Sequence, residues 1–116
     1  MSECDGTRED LVRDLEVRAQ WRVKRAAQHP DDVRETRSAE ALEQAARDVA
    51  ALPDEDPRLI RLAEFYAAAS DAAIARYLDA QNRIMSKHGY ESEDATTEGL
   101  LAALVEAAEK AEGEPG

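Results

Sequence analysis

The chain has 116 residues, with 26 acidic and 15 basic side chains and a net charge of −11. That length suits a single domain over 1–116, and that charge disfavours generic binding to nucleic acid or an anionic membrane, which both need a basic footprint. Cys4 is the only cysteine, which excludes an internal disulfide and a multi-cysteine zinc site.

The acids are unevenly spread. Residues 1–37 carry 9 acids and 8 bases, a net of −1, and residues 38–116 carry 17 acids and 7 bases, a net of −10. Acids at the N-terminus stand where a signal peptide would need a basic start and an apolar run. The uncharged run from Gly99 to Val105 is far short of the roughly 20 residues a bilayer demands. The expectation is a cytoplasmic protein without a helical membrane anchor, in which Cys4 is an incidental thiol. Only Trp21, Phe65, Tyr66, Tyr77 and Tyr90 supply aromatic bulk, so the core must rest on Leu, Val, Ile and Ala.

In chain order, Thr7 with Asp10 three residues later resembles a capping box and predicts a first helix over about 8–28. Its apolar stripe is Leu11, Leu15, Ala19, Val23 and Ala26, flanked by Val12 and Ala27. His29-Pro30 ends it, because the residue before proline is pushed out of the helical region. Asp31-Asp32-Val33 could open the next helix behind Pro30. Ser38 is the stronger N-cap, however, and Val33 would face away from the Leu42, Ala45, Ala46 and Val49 stripe. A break near 34–38 is therefore expected, with the second helix running from Ala39 to Leu52.

Pro53 stops that helix, and Asp54-Glu55-Asp56-Pro57 opens the third with a cap, a first-turn proline and acids at the positive end. Nothing interrupts the pattern before Lys87-His88-Gly89, a C-terminal signal. Leu59, Ala63, Tyr66, Ser70, Ala73, Tyr77, Ala80 and Ile84 follow each other at alternating spacings of four and three, a heptad seam suited to self-association. One helix over 57–88 would run about 48 Å, longer than the roughly 35 Å diameter of a compact domain this size. An elongated bundle or cover from a second chain resolves that misfit. A break is the less favoured answer, and Ser70-Asp71 is the one plausible site for it. A last helix, about Ala95 to Ala111, buries Leu100, Leu101, Leu104, Val105 and Ala108. Residues 1–7 and 112–116 are expected to be disordered tails. The fold expected is thus an all-α, elongated three- to four-helix bundle with one long central helix over 57–88.

Catalytic and cofactor chemistry finds no motif. Glu-x-x-His is missing before both His29 and His88, which removes the di-iron and His-Glu-x-x-His patterns. The isolated glycines make no phosphate loop, and no serine sits in a nucleophile elbow. No catalytic, cofactor-binding or metal-binding residue is assigned, and no cofactor is expected. Glu64, Asp71 and Asp79 fall beside Arg58, Arg61, Arg76 and Arg83 on the long helix. They read as a solvated face, with Glu64 set against Arg61 and Asp79 against Arg76 or Arg83. Phe65 should cover the flank of another helix, and His88 matches the negative helix end.

The residue to follow is Trp21. With Val17 it lies opposite the Leu11–Leu15 stripe, framed by Arg18, Arg22 and Arg25, with Lys24 nearby. Aromatics beside arginines suit a protein interface. Internal packing at a bundle end and nucleic-acid contact by stacking are the rival readings. The function expected is a non-catalytic interaction or regulatory module, binding a protein partner, itself as a homodimer, or both. The alternatives are an acidic decoy that imitates DNA through one contiguous carboxylate surface, and a small enzyme subunit.

Overall fold

The computed structural model describes residues 3–113, with side chains from residue 6 onward. Those residues form five α-helices and no strand: α1 (Glu3–Gln28), α2 (Val33–Ala50), α3 (Pro57–Ala68), α4 (Asp71–Lys87) and α5 (Thr97–Gly113). The bundle is elongated, with extents of 44 × 31 × 21 Å and a radius of gyration of 14.5 Å. No described helix is long and apolar enough to cross a membrane.

Leu11, Leu15 and Ala19 on α1 meet Leu42, Ala45 and Val49 on α2, and the hairpin they form is the base of the core. Leu59, Leu62 and Phe65 of α3 and Leu100, Leu101 and Leu104 of α5 close over it, all at most 3% exposed. Burial of these side chains, about 1.5–3 kcal/mol each, is the main driving force.

Three boundaries depart from the sequence reading. First, α1 begins at Glu3 rather than near residue 8, so Thr7 is buried inside the helix instead of capping it, and Asp10 pairs with Arg13 at 2.8 Å. Residues 3–7 and 112–113, expected as tails, are helical. Met1, Ser2, residues 114–116 and the Cys4 side chain lie outside the described residues.

Second, α2 is continuous from Val33, with no break at 34–38. Asp32 is its cap and accepts from the Arg34 N–H at 3.0 Å. Ser38 is not a cap, because its hydroxyl is spent elsewhere: it donates to the His88 carbonyl at 2.7 Å. Val33 does face away, 68% exposed, at the cost of one solvated side chain.

Third, the single helix over 57–88 does not exist. Ala69 and Ser70 are both extended, with ψ of 150° and 162°, and Ser70 recaps the chain by accepting from the Ala73 N–H at 3.2 Å. The physical reason is aromatic. In a straight helix Phe65 and Tyr77 would stand about 18 Å apart along the axis. The break brings their ring centroids to 5.3 Å, with Tyr66 at 5.7 Å from Phe65 and 5.6 Å from Tyr77. Phe65 and Tyr77 become fully buried, which far outweighs the helical bonds lost at two residues.

The end of α4 is locked to α2. Gly89 takes φ +72°, a left-handed C-terminal conformation, and a Cβ there would lie 2.6 Å from the Ala41 Cβ. Only glycine lets the two backbones approach so closely.

Candidate functional site

The edge of α1 that carries Trp21 is organised by a charge the sequence reading did not connect to it. After Leu15 and Ala19, the next inward position of α1 is Arg22, not Val23. Arg22 is 7% exposed, whereas Val23 is 48% exposed and Ala26 is only partly covered. Its partner is Glu35 on the first turns of α2, itself 1% exposed. Arg22 Nη1 donates to Glu35 Oε2 at 2.9 Å, and Arg25 Nε donates to Glu35 Oε1 at 3.2 Å. Arg22 Nη2 also donates to the Ser86 carbonyl at 2.6 Å, which ties the network to α4. Burial alone would push the Glu35 carboxyl up, but the two guanidinium groups reverse that and hold it below the ordinary carboxylate range.

These guanidiniums are also the walls of an aromatic site. Arg22 lies 4.8 Å and Arg25 5.2 Å from the Trp21 ring centroid. Arg22 stacks at 4.3 Å on Tyr90, which receives Arg34 at 4.8 Å. Each such contact is worth about 0.5–1 kcal/mol where partly exposed, and together they hold the indole in one orientation. Even so, Trp21 is 50% and Val17 57% exposed. Arg18 reaches across to Asn82 Oδ1 at 2.6 Å. Leu78, one turn before Asn82 on the same face of α4, is 45% exposed. A polar hollow lined by Arg25, Gln28, His29, Arg34 and Tyr90 continues the edge towards the α1–α2 turn.

The five residues singled out as a partner surface are thus brought together but divided in role. Val17 and Trp21 face solvent, Arg18 fixes α4, and Arg22 and Arg25 are tethered by Glu35. Glu35, Asn82, Ser86 and Tyr90 were missed. The one signal that pointed to Glu35 was its place on a helix that the Ser38 reading had excluded.

The heptad seam fares differently. Leu59, Ala63, Ala73 and Tyr77 are buried in the chain's own core, Tyr66 is packed against it, and Ser70 caps α4. The four buried residues are closed to a second chain. Tyr66, Ala80 and Ile84 remain partly exposed, the last two on the side facing α5, and Ser70 is exposed. Burial first, and then the nearby Tyr66 and Asp14 charges, push the Tyr77 phenol far up, so it stays protonated.

Glu64, Asp71 and Asp79 are exposed, as read. Two of the arginines expected beside them also reach α5: Arg61 lies 2.6 Å from Glu112 Oε2, and Arg76 donates to the Ala111 carbonyl at 2.8 Å. Among the described residues no three His, Cys, Asp or Glu side chains come together as a metal site. Acids elsewhere are interleaved with bases, as in Arg8–Asp54, Arg37–Glu93 and Lys110–Glu106.

No family model, no curated protein and no solved structure matches this chain. The functional reading rests on its own geometry.

Proposed function

We propose that this chain is a non-catalytic protein-interaction module whose partner surface is the Val17–Trp21 edge of α1. The observation that carries the reading is a half-exposed tryptophan held in place by arginines that are themselves anchored to a buried carboxylate. Interface anchors are typically aromatic, rigid before binding and flanked by groups that exclude water. Trp21 meets the first two conditions, and Val17, Arg18 and Leu78 supply a rim. A partner of matching chemistry would present one or two apolar side chains among carboxylates, since Arg18, Lys24 and Arg25 surround the indole on an otherwise acidic protein.

Two observations weigh against the rival readings. Arg22 and Arg25 direct their charge at Glu35 rather than outward, which leaves little for a phosphate backbone. The acids are interspersed with arginines rather than gathered in one sheet, which disfavours a DNA-like decoy.

The test compares the purified chain with Trp21→Ala. The variant is expected to keep its melting temperature within a few degrees, because half the indole is already in water. Its affinity for a partner captured from the native host should fall roughly thirtyfold or more. Loss of fold in Trp21→Ala, or a blue-shifted, quencher-resistant indole emission in the isolated protein, would sink the reading.

A further inference from the structure

The outer edge of α1 carries a repeat that extends well beyond Val17 and Trp21. Asp10, Asp14, Val17, Trp21, Lys24 and Gln28 follow one another at spacings of four, three, four, three and four. That is a heptad row, the pattern that keeps one side of a helix against a second helix along its length. All six side chains reach solvent: Asp14 is partly buried and the other five are exposed. The row spans about 27 Å of the helix.

The order of side chains along the row decides what fits it. Acids stand at its N-terminal end, the two apolar residues at its centre, and Lys24 and Gln28 at its C-terminal end. The row is also symmetric about the level of Ala19, from which Val17 and Trp21, Asp14 and Lys24, and Asp10 and Gln28 are equally distant. A second α1 laid antiparallel, with a twofold axis at that level, therefore sets Val17 of each copy on Trp21 of the other. The same axis sets Asp14 against Lys24 and Asp10 against Gln28, and every contact occurs twice. A parallel pairing would instead put acid on acid and base on base. Of the charges flanking the row, Arg13 is paired with Asp10, Arg25 with Glu35, and Arg18 is turned onto Asn82.

Two further observations favour a second copy. An apolar side chain among carboxylates is the chemistry that suits the Trp21 edge, and Val17 beside Asp10 and Asp14 presents it. Residues 1–37 sum to −1 and residues 38–116 to −10, so two copies repel least when they approach through α1.

We infer that the Val17–Trp21 edge takes a second copy of this chain, in an antiparallel α1–α1 pairing that sets Asp14 of each copy against Lys24 of the other. The inference rests on the reading of this edge as a partner surface and names the partner. Polar residues in a heptad row fix its register at a cost in stability. The dimer is accordingly weak, with a dissociation constant of about 10–100 µM.

The experiment is sedimentation equilibrium of the full chain from about 1 µM to 1 mM, with indole emission followed over the same range and circular dichroism as a check on folding. Trp21 is the only tryptophan, so the emission reports this edge alone. The dilute monomer should emit to the red and be open to quencher. Dimer formation should shift the emission to the blue and shield it. Lys24→Asp and Asp14→Lys should each weaken the dimer at least roughly tenfold, by setting like charges opposite each other. Mixed in equal amounts, the two variants should pair with each other about as well as wild type, because both cross-contacts are then opposite in sign. Lys110→Asp, which changes the net charge equally on α5, should leave the dimer intact. Asp14 also accepts from Gln81 at 3.0 Å, so if Asp14→Lys unfolds, Lys24→Asp is compared with Lys24→Ala and should be the weaker of the two.

A folded mixture that fails to pair, or Lys24→Asp no weaker than Lys110→Asp or Lys24→Ala, would overturn the inference. A chain still monomeric at the highest concentration, with its indole red and open to quencher, would overturn it too and leave the edge to a foreign partner. A blue-shifted, shielded indole in the dilute monomer would overturn the partner reading as well.

Discussion

The inner face of α1 meets two kinds of neighbour. Through Leu11, Leu15 and Ala19 it touches leucines, alanines and, beyond them, the Phe65–Tyr66–Tyr77 triangle. One turn later the same face carries Arg22, and it meets Glu35, the Ser86 carbonyl and the Tyr90 ring. The apolar end is stabilised by area removed from water, which is strong but non-directional. The ionic end adds less net free energy, since desolvating three charges offsets much of their attraction. Its bonds, however, have fixed lengths and angles. What holds the helices together and what fixes the direction of Trp21 are therefore different forces, set at different ends of the bundle.

The largest expected effect tests that division. Glu35→Ala leaves two guanidinium groups without their buried acceptor and should cost about 3–5 kcal/mol in urea denaturation. Replacing Arg22 and Glu35 together with leucines should recover most of that stability, because paired removal leaves only the half-exposed Arg25 and the part-buried Ser86 carbonyl to be solvated. The indole of that double variant should nonetheless lose its fixed orientation, seen as reduced emission anisotropy. A Glu35→Ala cost below about 1 kcal/mol would mean the ionic end is only decoration.

At the apolar end, Ala73→Leu should cost about 1–3 kcal/mol by overpacking beside Tyr77. Ala68→Leu, on the exposed side of α3, should be neutral within about 0.5 kcal/mol. Ala73 is 5% exposed and Ala68 faces solvent. Equal melting temperatures would put the wrong face of the α3–α4 pair inward.

The smallest effect separates the two ends by pH. Burial pushes the His88 imidazole below its ordinary 6.5, despite an opposing contact with the Ala41 backbone. The unfolded chain then takes up the proton first, so stability is full above about 6.5 and declines as pH falls through the folded value. Glu35 and Asp56 are held below their ordinary 4.5 and 3.8, Asp56 chiefly by its Arg58 bond. Their contribution is present above those values and is lost as pH falls further. Urea midpoints between pH 8 and 3 should fall in two steps, and His88→Gln should abolish only the upper one.

Much of the bundle was legible because its punctuation is local. His29-Pro30 ends α1, Asp56-Pro57 opens α3, Gly89 follows α4, and the leucines of α5 are buried as the 3.6-residue period requires. The features that escaped depend on partners far along the chain. Ser38 looks like a cap until His88, fifty residues on, claims its hydroxyl. Ser70-Asp71 reads as the one plausible place to recap the long helix, and Ser70 is the cap. The break is nonetheless the less favoured reading of the sequence, because its gain appears only when Tyr77 is seen to meet Phe65 and Tyr66. Arg22 reads as one more surface arginine until Glu35 is placed beside it. Trp21 was found from its spacing alone, whereas the clamp that makes it a candidate anchor was not.

The connection between α4 and α5 has a consequence for anyone inserting a sequence into this chain. Inter-helix loops are the usual place to add residues, yet its first part is as constrained as a core. His88 accepts from Ser38, Arg37 donates to the Gly89 and Tyr90 carbonyls at 2.9 Å each, and Gly89 is dovetailed against Ala41. The following stretch, residues 91–94, is wholly exposed. A tag, epitope or permuted terminus is therefore expected to be tolerated beside Ser92 and to unseat α2 if it is moved three residues earlier.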